Sequence, residues 1–182
     1  MTDSTPDRSP AANTGNRRFL LWLAVAGFVV VADQVTKWLI VTRVPLFAKR
    51  PVNSFINITH QENPGAAFSF LADAGGWQRW FFTVLATAVS AFIVHWLWSL
   101  RHERHAVLAS GLALVLGGAI GNLIDRVRLG HVVDFIQVLI YGWPFPSFNI
   151  ADAAITVGAA LLIIDALFLS RGEAGARAEP GS

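Results

Sequence analysis

Long apolar runs alternate along this chain with shorter segments of mixed polarity, and run length sets the first expectation. Four runs, 19–42, 77–100, 106–124 and 150–170, are almost wholly apolar, and each has the roughly 20 residues needed to cross a hydrocarbon core of about 30 Å. Four such helices inside a soluble protein would need a polar exterior that the rest of the chain cannot supply. The pattern therefore predicts a four-helix transmembrane domain over 17–170. Arg17-Arg18 followed by Ala24-Val25-Ala26 has the elements of a cleavable signal sequence. The apolar run continues well past that triplet, however, which fits a first spanning helix better. The polar linker Arg101-His102-Glu103-Arg104-His105 is short enough to make the second and third helices an antiparallel hairpin. Residues 1–16 and 171–182 are rich in polar and small residues and are expected to be disordered tails.

The two remaining segments, 43–76 and 125–149, fall on one face of the membrane. In 54–60, Ile56 and Ile58 alternate with Asn57 and Thr59, which predicts a short strand. Asn63-Pro64-Gly65 and Gly142-Trp143-Pro144-Phe145-Pro146 are turn signals. The fold class expected is an all-α membrane protein: four transmembrane helices, a small β-containing segment, and a loop from the second segment lying over a site at that face.

Composition agrees. Of 182 residues, 54% are hydrophobic and 14% charged, a balance that implies lipid as part of the solvent. The net charge of +2 is not gathered into a basic stripe, so no nucleic-acid partner is indicated. The absence of cysteine excludes thiol chemistry, iron–sulfur clusters and S-acylation. Trp38, Trp77, Trp80 and Trp143 fall at the loop face and Trp22, Trp96 and Trp98 at the tail face, as interfacial belts require. Basic residues do not fix the orientation. Arg8, Arg17, Arg18, Arg101, Arg104, Arg171 and Arg177 lie on the tail side, against Arg43, Lys49, Arg50, Arg79, Arg126 and Arg128 on the other.

The polar residues near the helices gather at the loop face. Asp33 and Lys37 lie late in the first helix; Asn122, Asp125 and Arg126 end the third; Asn149 and Asp152 begin the fourth; Asn63 and Asp134 lie in the loop segments. Ionisable groups in spanning segments are costly and mark functional sites by default. Asp33 and Lys37, four residues apart, can pair, either to fix packing or to serve chemistry. Arg126 can hold a carboxylate or an anionic headgroup, or simply anchor the helix at the interface. Asp152 can be a capping acid, and Asp134 a solvated loop residue. The five histidines lack ligand spacing, so no metal is assigned. A Ser–Lys dyad would pair Lys37 with Ser54, Ser69 or Ser147, and nothing singles one out. Two aspartates sharing a proton, Asp134 and Asp152, can act as base and acid together. A proton-relaying transporter fits less well, because the acids do not form a path across the bilayer. A non-catalytic scaffold would not need so many interfacial acids and amides.

Five blocks in order, Asp33-Gln34-Val35-Thr36-Lys37, Asn63-Pro64-Gly65-Ala66-Ala67-Phe68, Gly121-Asn122-Leu123-Ile124-Asp125-Arg126, Val132-Val133-Asp134-Phe135 and Phe148-Asn149-Ile150-Ala151-Asp152, resemble the bacterial lipoprotein signal peptidases (signal peptidase II), aspartic peptidases of the cytoplasmic membrane. The resemblance spans about 19–170. It implies an endopeptidase that cuts prolipoproteins before a diacylglyceryl-modified cysteine, with Asp134 and Asp152 as the catalytic pair. Asp33, Lys37, Asn63, Gly65, Asn122, Asp125, Arg126, Asn149 and Ala151 would be supporting or substrate-binding residues. It further implies no cofactor, prolipoprotein substrates and membrane phospholipids as partners, and a monomer with cytoplasmic termini and a site at the periplasmic interface of a diderm cell. Asp165 matches none of these blocks.

Overall fold

The computed structural model describes residues 10–65 and 76–169. Four helices dominate: α1 Pro10–Arg43, α2 Trp77–Ser99, α3 Ala106–Arg128 and α4 Ile150–Ile164, which continues as a π-helical turn over Asp165–Leu169. A 3₁₀ turn, Leu100–His102, ends α2 and makes the tight connection to α3. All four helices are long and apolar enough to span a membrane. More than half of the apolar window of α3 is buried, against 17% or less for each of the others, so α3 is the central helix. The other three turn apolar side chains such as Phe28, Val84, Phe92 and Ile163 outward, where lipid would cover them.

α1 is already helical at Pro10, well before the apolar run, so 10–16 belong to a helix rather than to a disordered tail. Extending an existing helix costs little per residue, and proline is tolerated in a first turn. The expected tails over 1–9 and 171–182 lie outside the described residues.

In lipid, helices gain most from close backbone approach at small residues, and α3 supplies them. A Cβ on Gly117 would stand 2.7 Å from the Ala26 carbonyl oxygen of α1. On the side facing α4, a Cβ on Gly158 would stand 2.7 Å from the Gly111 carbonyl oxygen, and one on Gly118 would run into the Ala151 backbone. This seam sets the distance between the two helices that carry Asn122 and Asp152. Gly118→Leu is expected to cost about 3 kcal/mol or more, because the clash is with backbone that cannot rotate away. Thermal unfolding in detergent reads this out, and an unchanged Tm would contradict it.

The segments between helices form a four-stranded antiparallel sheet, β1 Lys49–Pro51, β2 Ile56–Asn63, β3 Val132–Ile140 and β4 Trp143–Pro144, in that order. β2 overlaps the expected strand and extends to Asn63. β3 is the difference from expectation. Val132–Ile140, read from sequence as part of a loop segment without a strand, is β3, and Asp134 lies on it. Val132–Phe135 are buried on both faces, which removes the alternation that marks a half-exposed strand. The sheet seats on α1 through a cluster of Ile40, Val44, Val133 and Phe135.

Candidate active site

Three helix ends and one strand pair converge at the loop face. β2 pairs with β3 so that Gln61 lies opposite Asp134 and Asn63 opposite Val132, with an irregularity between Ile58 and Gln61. Such bulges re-aim side chains beside a site. Here Asn63 Nδ2 donates to Asp134 Oδ2 at 3.0 Å, and Asn63 Oδ1 accepts from the Gly65 amide at 2.9 Å. Gly65 takes a φ of 97°, which an L side chain strains to adopt, so this turn calls for glycine.

α4 starts with a full capping box. The Asn149 side chain accepts from the Asp152 amide at 2.9 Å, and Asp152 Oδ2 accepts from the Asn149 amide at 3.2 Å. The same Asn149 reaches the strand, its Nδ2 donating to Asp134 Oδ1 at 2.8 Å. One wholly buried asparagine therefore holds both aspartates. Asn122 Nδ2 fixes the other oxygen of Asp152, Oδ1, at 2.8 Å. Asp152 does cap its helix, but its carboxylate is also aimed at the pair. Asp134 is only 3% exposed, so the solvated-loop alternative does not hold.

Beneath the pair lies a second layer of charge. Lys37 Nζ contacts Asp33 Oδ2 at 2.8 Å and Asp125 Oδ2 at 2.9 Å, and donates to Asn122 Oδ1 at 2.9 Å. Asp33 Oδ1 accepts from the Ala151 amide at 3.0 Å, tying α1 to the first turn of α4. Asp125 Oδ2 accepts from the Val133 amide at 3.2 Å, tying α3 to β3. Every carboxylate and the ammonium are thus paired, as buried charges must be. The i, i+4 pairing of Asp33 with Lys37 is present, and Lys37 is linked through Asn122 to Asp152.

Arg126 makes no ion pair among the described residues. Its guanidinium lies 5.1 Å from the Phe82 ring centroid, and its Nη1 donates to the Asn122 carbonyl at 3.4 Å. Its buried Nε has no partner among the described residues, and Asp152, Asp134 and Asp125 are within electrostatic range. Lys37 and Ser147 lie apart in function: Ser147 Oγ bonds Thr59 Oγ1 at 3.0 Å, while Lys37 is held by Asp33, Asp125 and Asn122, so this candidate Ser–Lys pair is not formed. Ser69 lies outside the described residues. No group of three or more His, Cys, Asp or Glu among the described residues is placed to hold a metal.

Burial pushes the Asp134 carboxyl up to about 6; the nearby Asp152 adds to this, while the Asn63 and Asn149 amides oppose it. A carboxyl at that value exchanges its proton near neutrality, as acid–base work requires.

Two positioning residues were not singled out from sequence. Gln34 Nε2 donates to Asp125 Oδ1 at 2.9 Å and to the Gly121 carbonyl at 3.1 Å, and its signal was its place inside the Asp33–Lys37 block. Arg79, in the first turn of α2, donates through Nε to the Arg126 carbonyl and through Nη2 to the Val127 carbonyl, both at 2.9 Å. It satisfies the end of α3, and no local sequence pattern announces it.

Comparison with known proteins agrees with this geometry. A family model described as signal peptidase (SPase) II matches residues 25–168. The lipoprotein signal peptidase of Cupriavidus pinatubonensis is 51% identical over 162 residues, 89% of this chain and 91% of that protein. That of Acinetobacter baumannii (strain ATCC 17978) is 52% identical over 152 residues, 84% of this chain and 86% of the relative. A solved structure described as a bacterial membrane enzyme determined by the in meso method at 2.3 Å superposes with a TM-score of 0.70 and 34% identity, covering 89% of this chain and 93% of that one.

Proposed function

The chain belongs to the signal peptidase II family, and on that premise we propose that Asp134 and Asp152 activate the water that frees signal peptides from diacylglyceryl-modified prolipoproteins. The observation that carries this reading is that Asn149 holds both carboxylates, its side-chain Nδ2 donating to Asp134 Oδ1 and its backbone amide donating to Asp152 Oδ2.

In the proposed cycle Asp134, lifted to about 6, carries the shared proton and Asp152 is ionised. Asp152 takes a proton from water as its oxygen attacks the carbonyl carbon preceding the lipidated cysteine. Asp134 gives its proton to the carbonyl oxygen. When the tetrahedral intermediate collapses, the C–N bond breaks and the cysteine nitrogen leaves with a proton from Asp152. The oxygen's proton returns to Asp134 and restores the pair. The Arg126 guanidinium, which forms no ion pair among the described residues, is placed to bind a substrate carbonyl or headgroup oxygen. The site lies where α1 and α3 end and α4 begins, with exposed rings of Trp38, Trp80 and Trp143 at the same end. That is headgroup depth, where a cysteine anchored by acyl chains presents its peptide bond. We assign this end to the periplasmic face and the termini to the cytoplasm.

The pH profile tests the proton assignment. As pH rises through about 6 the free enzyme loses the Asp134 proton, so kcat/KM is expected to fall on the alkaline side with an apparent pKa near 6. The fall in kcat itself should lie at higher pH, because bound peptide excludes water and raises the carboxyl further. A kcat/KM that stays flat from acid pH to well above 6 would overturn the assignment of the proton to Asp134.

A further inference from the structure

The tail face, opposite the aspartates, holds a cavity of about 240 Å³ between α1 and the turn joining α2 to α3. Its floor is apolar, formed by Leu21, Trp22 and Leu100, and its rim carries Arg18, Arg104 and His105 together with Glu103. The segments that build it, 14–22 and 100–109, contain Arg17, Arg18, Arg101 and Arg104 against one acid, Glu103. That acid is already engaged, its carboxylate 3.0 Å from His105 Nε2. Arg18 Nη1 donates to the Glu103 backbone carbonyl at 3.2 Å, and among the described residues Arg18 forms no ion pair. Arg104 is exposed and, among the described residues, has no hydrogen bond or ion pair. α3 also begins here, at Ala106, without a side-chain cap, which adds to the positive potential.

We propose that this cavity binds the phosphate headgroup of an anionic phospholipid from the leaflet at the tail face. The cavity opens where spanning helices emerge from the bilayer, so its rim lies at headgroup depth and its floor at the level of the first acyl carbons. A free phosphate would satisfy the arginines but gain nothing from Leu21, Trp22 and Leu100. A zwitterionic lipid would fit the floor while bringing its own cation to an already basic rim. An anionic lipid matches both parts, with an attraction on the order of that known for basic residues at anionic membrane surfaces.

The full chain in nanodiscs of equal phosphatidylglycerol and phosphatidylcholine, released into native mass spectrometry, tests the site. The wild-type protein is expected to retain phosphatidylglycerol over phosphatidylcholine, and Arg104→Gln to reduce that preference about fivefold. Arg104 is exposed and makes no hydrogen bond or ion pair among the described residues, so this variant should fold as the wild type does. Arg18→Gln with Arg104→Gln should remove the preference. Equal retention of the two lipids by the wild type, or an unchanged preference in the double variant, would overturn the proposal. Displacement of the lipid by millimolar inorganic phosphate would also overturn it, by showing a site for free anions instead.

Discussion

Asp134→Asn and Asp152→Asn are each expected to lower kcat for cleavage of a diacylglyceryl-modified prolipoprotein by about 10³-fold or more, while the protein stays folded. The amide keeps the shape of the carboxyl but can neither take a proton from water nor give one to the carbonyl. Because the two groups act as a unit, losing either should cost nearly as much as losing both. Retained folding follows from the charge balance at Asp134. A carboxyl raised from 3.8 to about 6 on folding binds its proton more tightly in the folded state. Its contribution to stability is therefore full at low pH and is lost as pH rises through about 6. By pH 8 the buried ionised form costs on the order of 3 kcal/mol. Asparagine removes that cost and gives up in exchange the hydrogen bond from Asn63, worth about 1–3 kcal/mol when its donor is left unpaired. The Tm of Asp134→Asn at pH 8 should thus be no lower than that of the wild type. Single-turnover cleavage and thermal unfolding in detergent check the two halves separately. Substantial cleavage by either variant would remove that aspartate from the pair.

The second large effect is expected at Lys37. Its ammonium is 3% exposed and is the only cation in contact with Asp33 and Asp125 among the described residues. Lys37→Met keeps much of the side-chain volume but leaves two buried carboxylates facing each other without compensation. Breaking a buried ion pair from one side costs about 3–5 kcal/mol. The Tm should fall well beyond the few degrees that 1 kcal/mol represents in a chain of this size. The loss should also reach catalysis, because Lys37 holds Asn122 Oδ1 while Asn122 Nδ2 holds Asp152. Lys37→Met with Asp125→Asn removes one of the stranded charges and should regain part of the lost stability. A Tm for Lys37→Met close to the wild-type value would show that the cluster does not brace the site.

The spanning helices were legible in sequence because insertion into lipid imposes a length and a polarity, and both are written directly in the apolar runs. The gathering of Asp33, Lys37, Asn122, Asp125, Asn149 and Asp152 at one face followed from helix direction alone. What topology could not supply was the division of labour within that group. Asp33 and Asp125 look as suitable for catalysis in sequence as Asp152 does. The family resemblance supplied that division from sequence, and the contacts give it a physical form: Asp33 and Asp125 pair with Lys37, whereas Asn149 holds Asp134 and Asp152. β3 was missed because a strand buried on both faces carries no period of two. The cost of that omission was the setting of Asp134, which lies on a buried strand rather than in a loop. Arg79 was unreadable for a different reason: its partners are backbone carbonyls on another helix, and backbone acceptors leave no trace in side-chain pattern.

In the proposed reaction an aspartate pair adds water across one peptide bond, and the products report that directly. Purified protein in lipid, acting on a diacylglyceryl-modified prolipoprotein in ¹⁸O-labelled water, should release a signal peptide with the label in its new carboxylate. The partner product should begin at the lipidated cysteine. Asp134→Asn and Asp152→Asn protein should yield neither product. Cleavage at another bond, or a first-turnover signal peptide without the label, would contradict the account.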